Sequence, residues 1–245
     1  MKFNCEVVGA ELINRIYGVT KLDDTNEFAI VTRLYRLGDL RGVLRNDIEL
    51  SFLQVVGILS KISSALQTIH AKGYVHNDMH CGNILIKKNS IGYFEAVIST
   101  FGRSVECRNI HWTNDIYGFG SIMYEIISGI DSPPDSRPPI PEYAPQHYVA
   151  LMTQCLDVDR TKRPTANQLA ETLHGWFSTL IGDNKPTQPN GLSGFLSRWF
   201  SDVINKINKI KEDWEIRKAF TKDREQQWQK QMKQCQEKSI LYGYI

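Results

Sequence analysis

No run of apolar residues in this 245-residue chain reaches the ~18 that a helix needs to cross a bilayer. Cysteine is sparse and unpaired in pattern: Cys5, Cys81, Cys107, Cys155 and Cys235 form no Cys-x-x-Cys motif. An odd, scattered set argues against a disulfide framework and makes a reducing, cytoplasmic compartment the expectation. A dominant charge is also missing, since 29 Lys and Arg face 27 Asp and Glu for a net charge of +2. So weak a field implies no nucleic-acid partner. Met1-Lys2-Phe3-Asn4-Cys5-Glu6 matches neither a secretory signal nor a myristoylation site. Finally, no Gly-x-Gly-x-x-Gly occurs anywhere, so the sequence has no glycine-rich loop of the kind that cradles phosphates on backbone N–H groups.

What is present reads as an ordinary globular chain, 42% apolar and 23% charged. Ser51 to Ala71 carries apolar residues at Phe52, Val55, Val56, Leu59, Ile62, Leu66 and Ile69, a 3.6-residue stripe that predicts a core helix. A turn at Gly73 follows, then the polar stretch His76-Asn77-Asp78-Met79-His80-Cys81-Gly82-Asn83, then the apolar strand Ile84-Leu85-Ile86. Earlier, Phe28 to Thr32 reads as a strand behind an Asp24-Thr25-Asn26 turn, and Asp39 stands where an N-cap would precede Leu40 to Leu44. Ile116, Phe119, Ile122, Met123, Ile126 and Ile127 make a helix apolar almost all round, which places it in a core. His70, His76, His80, Cys81, Cys107 and His111 could be taken for a metal set. Zinc sites show tight ligand pairs on both sides, and only His76 and His80 are so spaced, so no metal site is expected.

The loop from His76 to Asn83 resembles the catalytic loop of the protein kinase superfamily, His-Arg-Asp-Leu-x-x-x-Asn. Three further motifs follow in that family's order. Ile98-Ser99-Thr100-Phe101-Gly102 stands where kinases of the tyrosine-kinase-like group place a strand ending in Asp-Phe-Gly. Thr113 to Gly120 is similar to the Ser-Asp-Val-Trp-Ser-Phe-Gly helix opening, and Leu151 to Thr165, with Arg163-Pro164-Thr165, is similar to the closing helix pair. Upstream, Leu12 to Thr20 resembles the segment entering the fourth strand of a kinase small lobe, so on this resemblance the sequence starts within that lobe.

The resemblance implies an α+β, two-lobed kinase-like fold with an incomplete small lobe and a mainly helical large lobe. It implies that Asp78 is the general base, Asn83 a Mg²⁺ ligand and His76 a structural histidine under the loop. Thr32, Arg33, Tyr35 and Leu85 would line an adenine pocket. For Asp39, ribose contact and helix cap both stay open. Asp115 would accept backbone N–H bonds from the catalytic loop, with a simple N-cap as the other reading. Phe101 and Arg163 complete the structural positions.

Departures from the pattern fall on nucleotide and substrate handling. Thr100 replaces the aspartate of Asp-Phe-Gly, and a hydroxyl cannot supply the charge that offsets dehydration of Mg²⁺. Asn77 replaces the arginine that gathers an activation-loop phosphate. No Val-Ala-x-Lys strand is present. Only Arg103 to Thr113 separate Gly102 from the next helix, whereas an activation segment with its Ala-Pro-Glu anchor needs roughly twice that. After Gly129 the sequence runs through Pro133-Pro134 to Pro138-Pro139 with no room for the docking helix, and Arg163 lacks its usual glutamate partner.

Four regions are expected: a partial small lobe and hinge over 1–36, a large lobe with a shortened activation segment over 37–181, a linker over 182–191, and a helical tail over 192–245. In the tail, Leu192 to Lys211 forms a basic amphipathic stripe, for which a membrane surface, a partner helix and docking on the chain's own large lobe are all open. Trp214 to Ser239 is polar and rich in Gln and Lys, and is expected to be a solvated or paired helix. Taken together, the expected function is a catalytically impaired kinase-like domain acting as an interaction or signalling scaffold. The alternative is an active Ser/Thr or Tyr kinase, or a fragment of one, and ATP with Mg²⁺ would be cofactors only in that case. Protein partners, oligomeric state and substrate stay open.

Overall fold

A computed structural model describes residues 11–24, 27–46, 48, 50–89, 92–99, 105–106, 111–129, 140–181 and 222–242. Thr100, Phe101, the linker 182–191 and the amphipathic stripe 192–211 lie outside the described residues.

The first element is an antiparallel hairpin of β1 (Ile16–Lys21) and β2 (Phe28–Thr32), with a register irregularity between Ile16 and Gly18. After the hinge come α1 (Leu40–Arg45) and α2 (Phe52–Ala71). Next are β3 (Tyr74–Val75), a 3₁₀ turn (Cys81–Asn83), β4 (Ile84–Lys88), β5 (Phe94–Ile98) and β6 (Val105–Glu106). The helices α3 (Thr113–Ser128), α4 (Gln146–Cys155), α5 (Ala166–Ile181) and α6 (Lys222–Tyr242) complete the described chain. β3 pairs with β6 and β4 with β5, both antiparallel.

Helix α2 is the axis of the helical region. Ser51 caps it in a full capping box: Ser51 Oγ accepts from the Gln54 N–H at 3.2 Å, and Gln54 Oε1 accepts from the Ser51 N–H at 2.8 Å. Val56, Leu59, Ala65, Leu66 and Ile69 are fully enclosed. The helix is long and apolar enough to pass for a membrane span, yet 67% of that window is buried inside the protein. It ends where Gly73 takes a φ of 74°, a left-handed value that glycine adopts without strain. α5 packs along α2, and α3 lies beside them with Phe119, Ile122 and Met123 at zero exposure.

Helix α6 departs from the expectation of a merely solvated or paired helix. Most of it is polar, but Trp228 is 2% exposed and Met232 9%, and both join the core. The Trp228 ring stacks on Phe52 at a centroid distance of 5.3 Å, and its Nε1–H donates to Ile126 O at 2.9 Å. Arg224 donates to Ala144 O at 2.8 Å. An amphipathic indole buries its ring and pairs its N–H, and that combination seats a helix whose remaining surface prefers water.

Candidate functional site

The loop after β3 is shaped by one buried carboxylate. Asp115, in the first turn of α3, has no exposed surface. Its Oδ2 accepts from the His76 N–H and meets His70 Nε2, both at 2.8 Å, while Oδ1 accepts from the Asn77 N–H at 2.6 Å. A carboxylate out of water needs its lone pairs occupied, and three donors from α2 and the loop occupy them. Asn77 has a φ of 62°, which few non-glycine residues adopt, and the bond to Asp115 holds it there. Asp115 is thus a loop tie; the helix begins at Thr113, with Trp112 at the cap position.

His76 lies under the loop, wholly buried, with Nε2 2.9 Å from Ser99 O. Burial lowers its pKa below the usual histidine value and outweighs the opposing bond to Ser99 and the charges of Asp115 and Asp78. Beyond it, Asp78 is part-exposed, and Asn83 Nδ2 donates to Asp78 O at 2.7 Å and to its Oδ2 at 3.3 Å. His80 Nδ1 accepts from the Gly82 N–H at 3.1 Å, which leaves its Nε2 facing Asp78 Oδ2 at 3.9 Å. α3 closes on this loop through Gly118: a Cβ there would lie 2.6 Å from Met79 O, so the site tolerates only hydrogen.

Above the loop, a cleft of about 740 Å³ is lined by Asn14, Ile16, Ile30, Val31, Thr32, Arg33, Leu34, Tyr35, Leu85 and Ser99. The four residues expected to line an adenine pocket, Thr32, Arg33, Tyr35 and Leu85, come together in it. Burial raises the pKa of the Tyr35 phenol, a trend that the neighbouring Arg33 opposes. Asp39 is not in the lining: its Oδ1 accepts from the Gly42 N–H at 2.7 Å, so it caps α1. Its backbone bridges to Leu85, and Ile86 N–H donates to Gly38 O at 3.0 Å, which pins the hinge to β4.

Sequence reasoning missed Asn14 and Ser99. Ile98 N–H donates to Leu12 O at 3.0 Å and Asn14 N–H to Ile98 O at 2.8 Å, a short parallel bridge that brings Asn14 against the end of β5. Asn14 Nδ2 then donates to Ser99 Oγ at 2.9 Å. Nothing local signals a contact between residues this far apart in sequence.

Arg163, expected to need a substitute for a glutamate, donates from Nε to Asp157 O at 2.8 Å and from a terminal nitrogen to Thr113 O at 3.0 Å. Its guanidinium lies 4.8 Å from the centre of the Tyr117 ring. Two carbonyl oxygens and a ring face thus receive the guanidinium.

A family model described as protein tyrosine and serine/threonine kinase matches residues 5–109. The chain is 28% identical over 185 residues to the probable serine/threonine-protein kinase kinX of Dictyostelium discoideum, covering 62% of this chain and 17% of that protein. It is 24% identical over 209 residues to the tyrosine-protein kinase FRK of Homo sapiens, covering 67% and 40%. It is 26% identical over 211 residues to the ephrin type-B receptor 5 of Gallus gallus, covering 65% and 21%. Over these spans the chain is similar to members of the protein kinase superfamily. It spans less than half the length of each of these relatives.

ATP with Mg²⁺ is what that family suggests, and the donor set can be tested for it. Mg²⁺ requires near-octahedral oxygen coordination with enough negative charge to displace water. Asp78 contributes one carboxylate, already engaged by the Asn83 amide, and Asn83 is neutral. Among the described residues no group of three His, Cys, Asp or Glu converges. The sequence adds a hydroxyl, Thr100, rather than a second carboxylate. Among the described residues that line the cleft, Arg33 is the one charged residue. Among the described residues, this donor set does not by itself fit a metal-bound triphosphate.

Proposed function

We propose that this chain is a catalytically impaired kinase-like domain that acts as a cytoplasmic interaction scaffold for protein partners. The observation that carries this reading is the poverty of the phosphate and metal donor set beside a loop that is otherwise fully braced. Phosphoryl transfer depends on positioning and charge neutralisation by several groups acting as a unit. Here the bracing groups, Asp115, His70 and His76, are in place, while among the described residues the charge-neutralising ones are Asp78 and Arg33. The contact between Asp78 and Asn83 favours the competing reading of an active Ser/Thr or Tyr kinase, since both groups would be needed together.

Two measurements separate these readings. Ligand stabilisation follows RT ln(1 + [L]/Kd), so millimolar ATP with Mg²⁺ should move Tm by less than ~1 °C. A Mg²⁺-dependent rise of several degrees overturns the scaffold reading. Thr100→Asp should gain no phosphotransfer to generic peptides; turnover in that variant that vanishes when Asp78→Asn is added would establish the kinase reading instead.

A further inference from the structure

Strand β2 has β1 on one side and, among the described residues, no strand on the other. Leu22 N–H donates to Glu27 O at 2.8 Å, so these two form a hydrogen-bonded pair beside the hairpin turn. Antiparallel pairs alternate between hydrogen-bonded and non-hydrogen-bonded, and the register from Lys21 with Phe28 to Gly18 with Val31 carries that alternation along the ladder. Ala29 and Val31 therefore turn their backbone groups toward β1. Phe28, Ile30 and Thr32 turn theirs outward, along the free edge.

An unpaired edge is a template for another strand, and proteins guard such edges with lysine, proline or bulges. β1 carries guards of this kind, Lys21 and the register irregularity between Ile16 and Gly18. β2 carries none. Phe-Ala-Ile-Val-Thr has no charge, proline or glycine, is rich in residues that favour strands, and is exposed along most of its length. Charges stand just beyond its two ends, Glu27 before it and Arg33 after it, both exposed.

We propose that the free edge of β2 pairs antiparallel with the same edge of a second copy of this chain, about a two-fold axis at Ile30, so that two hairpins become one continuous sheet. The strand's own pattern selects this occupant. With Ile30 opposite Ile30 of the second copy, Phe28 meets Thr32 and Thr32 meets Phe28, and every one of these is a hydrogen-bonded pair made from outward-turned groups. A slip of one residue sets outward groups against groups already bonded to β1, and a slip of two keeps fewer pairs. The same register places Glu27 of each chain opposite Arg33 of the other, in non-hydrogen-bonded pairs, where side chains approach most closely. The patch is thus complementary to itself in backbone and in charge, as an isologous contact requires. Side chains stand perpendicular to the sheet, so the pairing leaves the outer face of Phe28 and Ile30 in water. It makes no use of the loop around Asp78 and stands whether or not the chain transfers phosphate.

The test is sedimentation of the full chain from micromolar concentration to about 1 mM, a span suited to the weak association that one short strand provides. A reversible monomer–dimer equilibrium is expected. Ile30→Pro removes an N–H that β1 does not use, which an edge strand tolerates, and should abolish the dimer while leaving the Tm of the dilute chain unchanged. Glu27→Arg and Arg33→Glu each set like charges against one another at both ends and should weaken the dimer by about tenfold. Mixed together, those two variants should associate with each other, and the chain carrying both substitutions should regain self-association. The charge exchange keeps the idea testable if Ile30→Pro disrupts the hairpin. A chain that stays monomeric throughout, a dimer that survives Ile30→Pro, or single reversals that do not associate when mixed would each overturn the inference. So would Phe28, Ile30 and Thr32 amides whose protection from hydrogen exchange is independent of concentration, because the edge would then be filled from within the same chain.

Discussion

The hairpin of β1 and β2 and the helical region around α2 are built from similar apolar residues and bury them to opposite degrees. Phe28 is 78% exposed and Ile30 63%, whereas Phe52 is 3% exposed and Val56 not at all. Composition therefore does not decide burial; the number of elements that can close over a surface does. α2 is covered by α5, β5 and α3, while the hairpin has one partner strand each way among the described residues. Two-stranded hairpins are marginal alone. This one is held at its two ends, by the bridge from Ile13 to Ile98 and by the hinge pinned to β4, and the cleft lies between those attachments. Stability should then reside in the helical region and its loop tie, with the hairpin contributing to the cleft and little to the fold.

The sharpest way to break that division is at Asp115. Asp115→Ala would strand the buried N–H groups of His76 and Asn77 and release His70, and each unsatisfied buried donor costs about 1–3 kcal/mol. A loss of about 4 kcal/mol or more in denaturant unfolding is expected. A loss below ~1 kcal/mol would show that the loop is held from elsewhere.

Next in size is Trp228→Ala. Truncating a buried indole costs about 3–5 kcal/mol, and the Ile126 carbonyl would lose its donor as well. For a chain of this size that corresponds to a fall in Tm of roughly 6–12 °C. If α6 is an accessory strap instead, the variant would keep its Tm and only expose Phe52, read as new dye binding.

These two residues also mark how far the sequence could be read. Asp115 belongs to a motif on a helix whose apolar period is obvious, and its partners lie in a loop bounded by that motif's neighbours. α2 was equally legible, with a 3.6-residue stripe and a Gly turn behind it, although its Ser51 capping box emerged only in the structure. Trp228 and Met232 were not, because they stand four apart in a Gln- and Lys-rich run, and the surface that receives them, Phe52 and Ile126, is contributed by two other helices. Asn14 and Ser99 were hidden for the same reason: a strand-end bridge across the chain makes the pair, and no periodicity records it. In the cleft, the residues that the kinase resemblance implies for an adenine pocket do share one lining, while Asp39 is spent on its helix cap.

A smaller effect should appear with pH. His76 is buried with its pKa held below the usual value near 6.5, so the unfolded chain binds the proton more readily than the folded one. The sign is then fixed: this contribution is fully present above pH ~6.5 and is lost as pH falls through the folded value. Unfolding free energy measured from pH 7.5 to 5 should decline, and His76→Gln should decline less steeply over the same interval. Equal slopes in the two proteins would place the titration elsewhere.

The smallest expected effect tests the other half of the comparison. Phe28 and Ile30 project from the hairpin with most of their surface already in water, so little transfer free energy is gained when they fold. Phe28→Ser and Ile30→Thr should each change stability by no more than ~0.5 kcal/mol, as substitutions on an exposed surface do. Thr at the second position keeps a β-branched side chain, which removes strand preference as an explanation for any change. A penalty above ~1.5 kcal/mol would mean that these side chains are covered in solution. Concentration dependence would then identify the cover: a penalty that grows with protein concentration points to a second copy packed on the hairpin, and one that does not points to another part of the same chain.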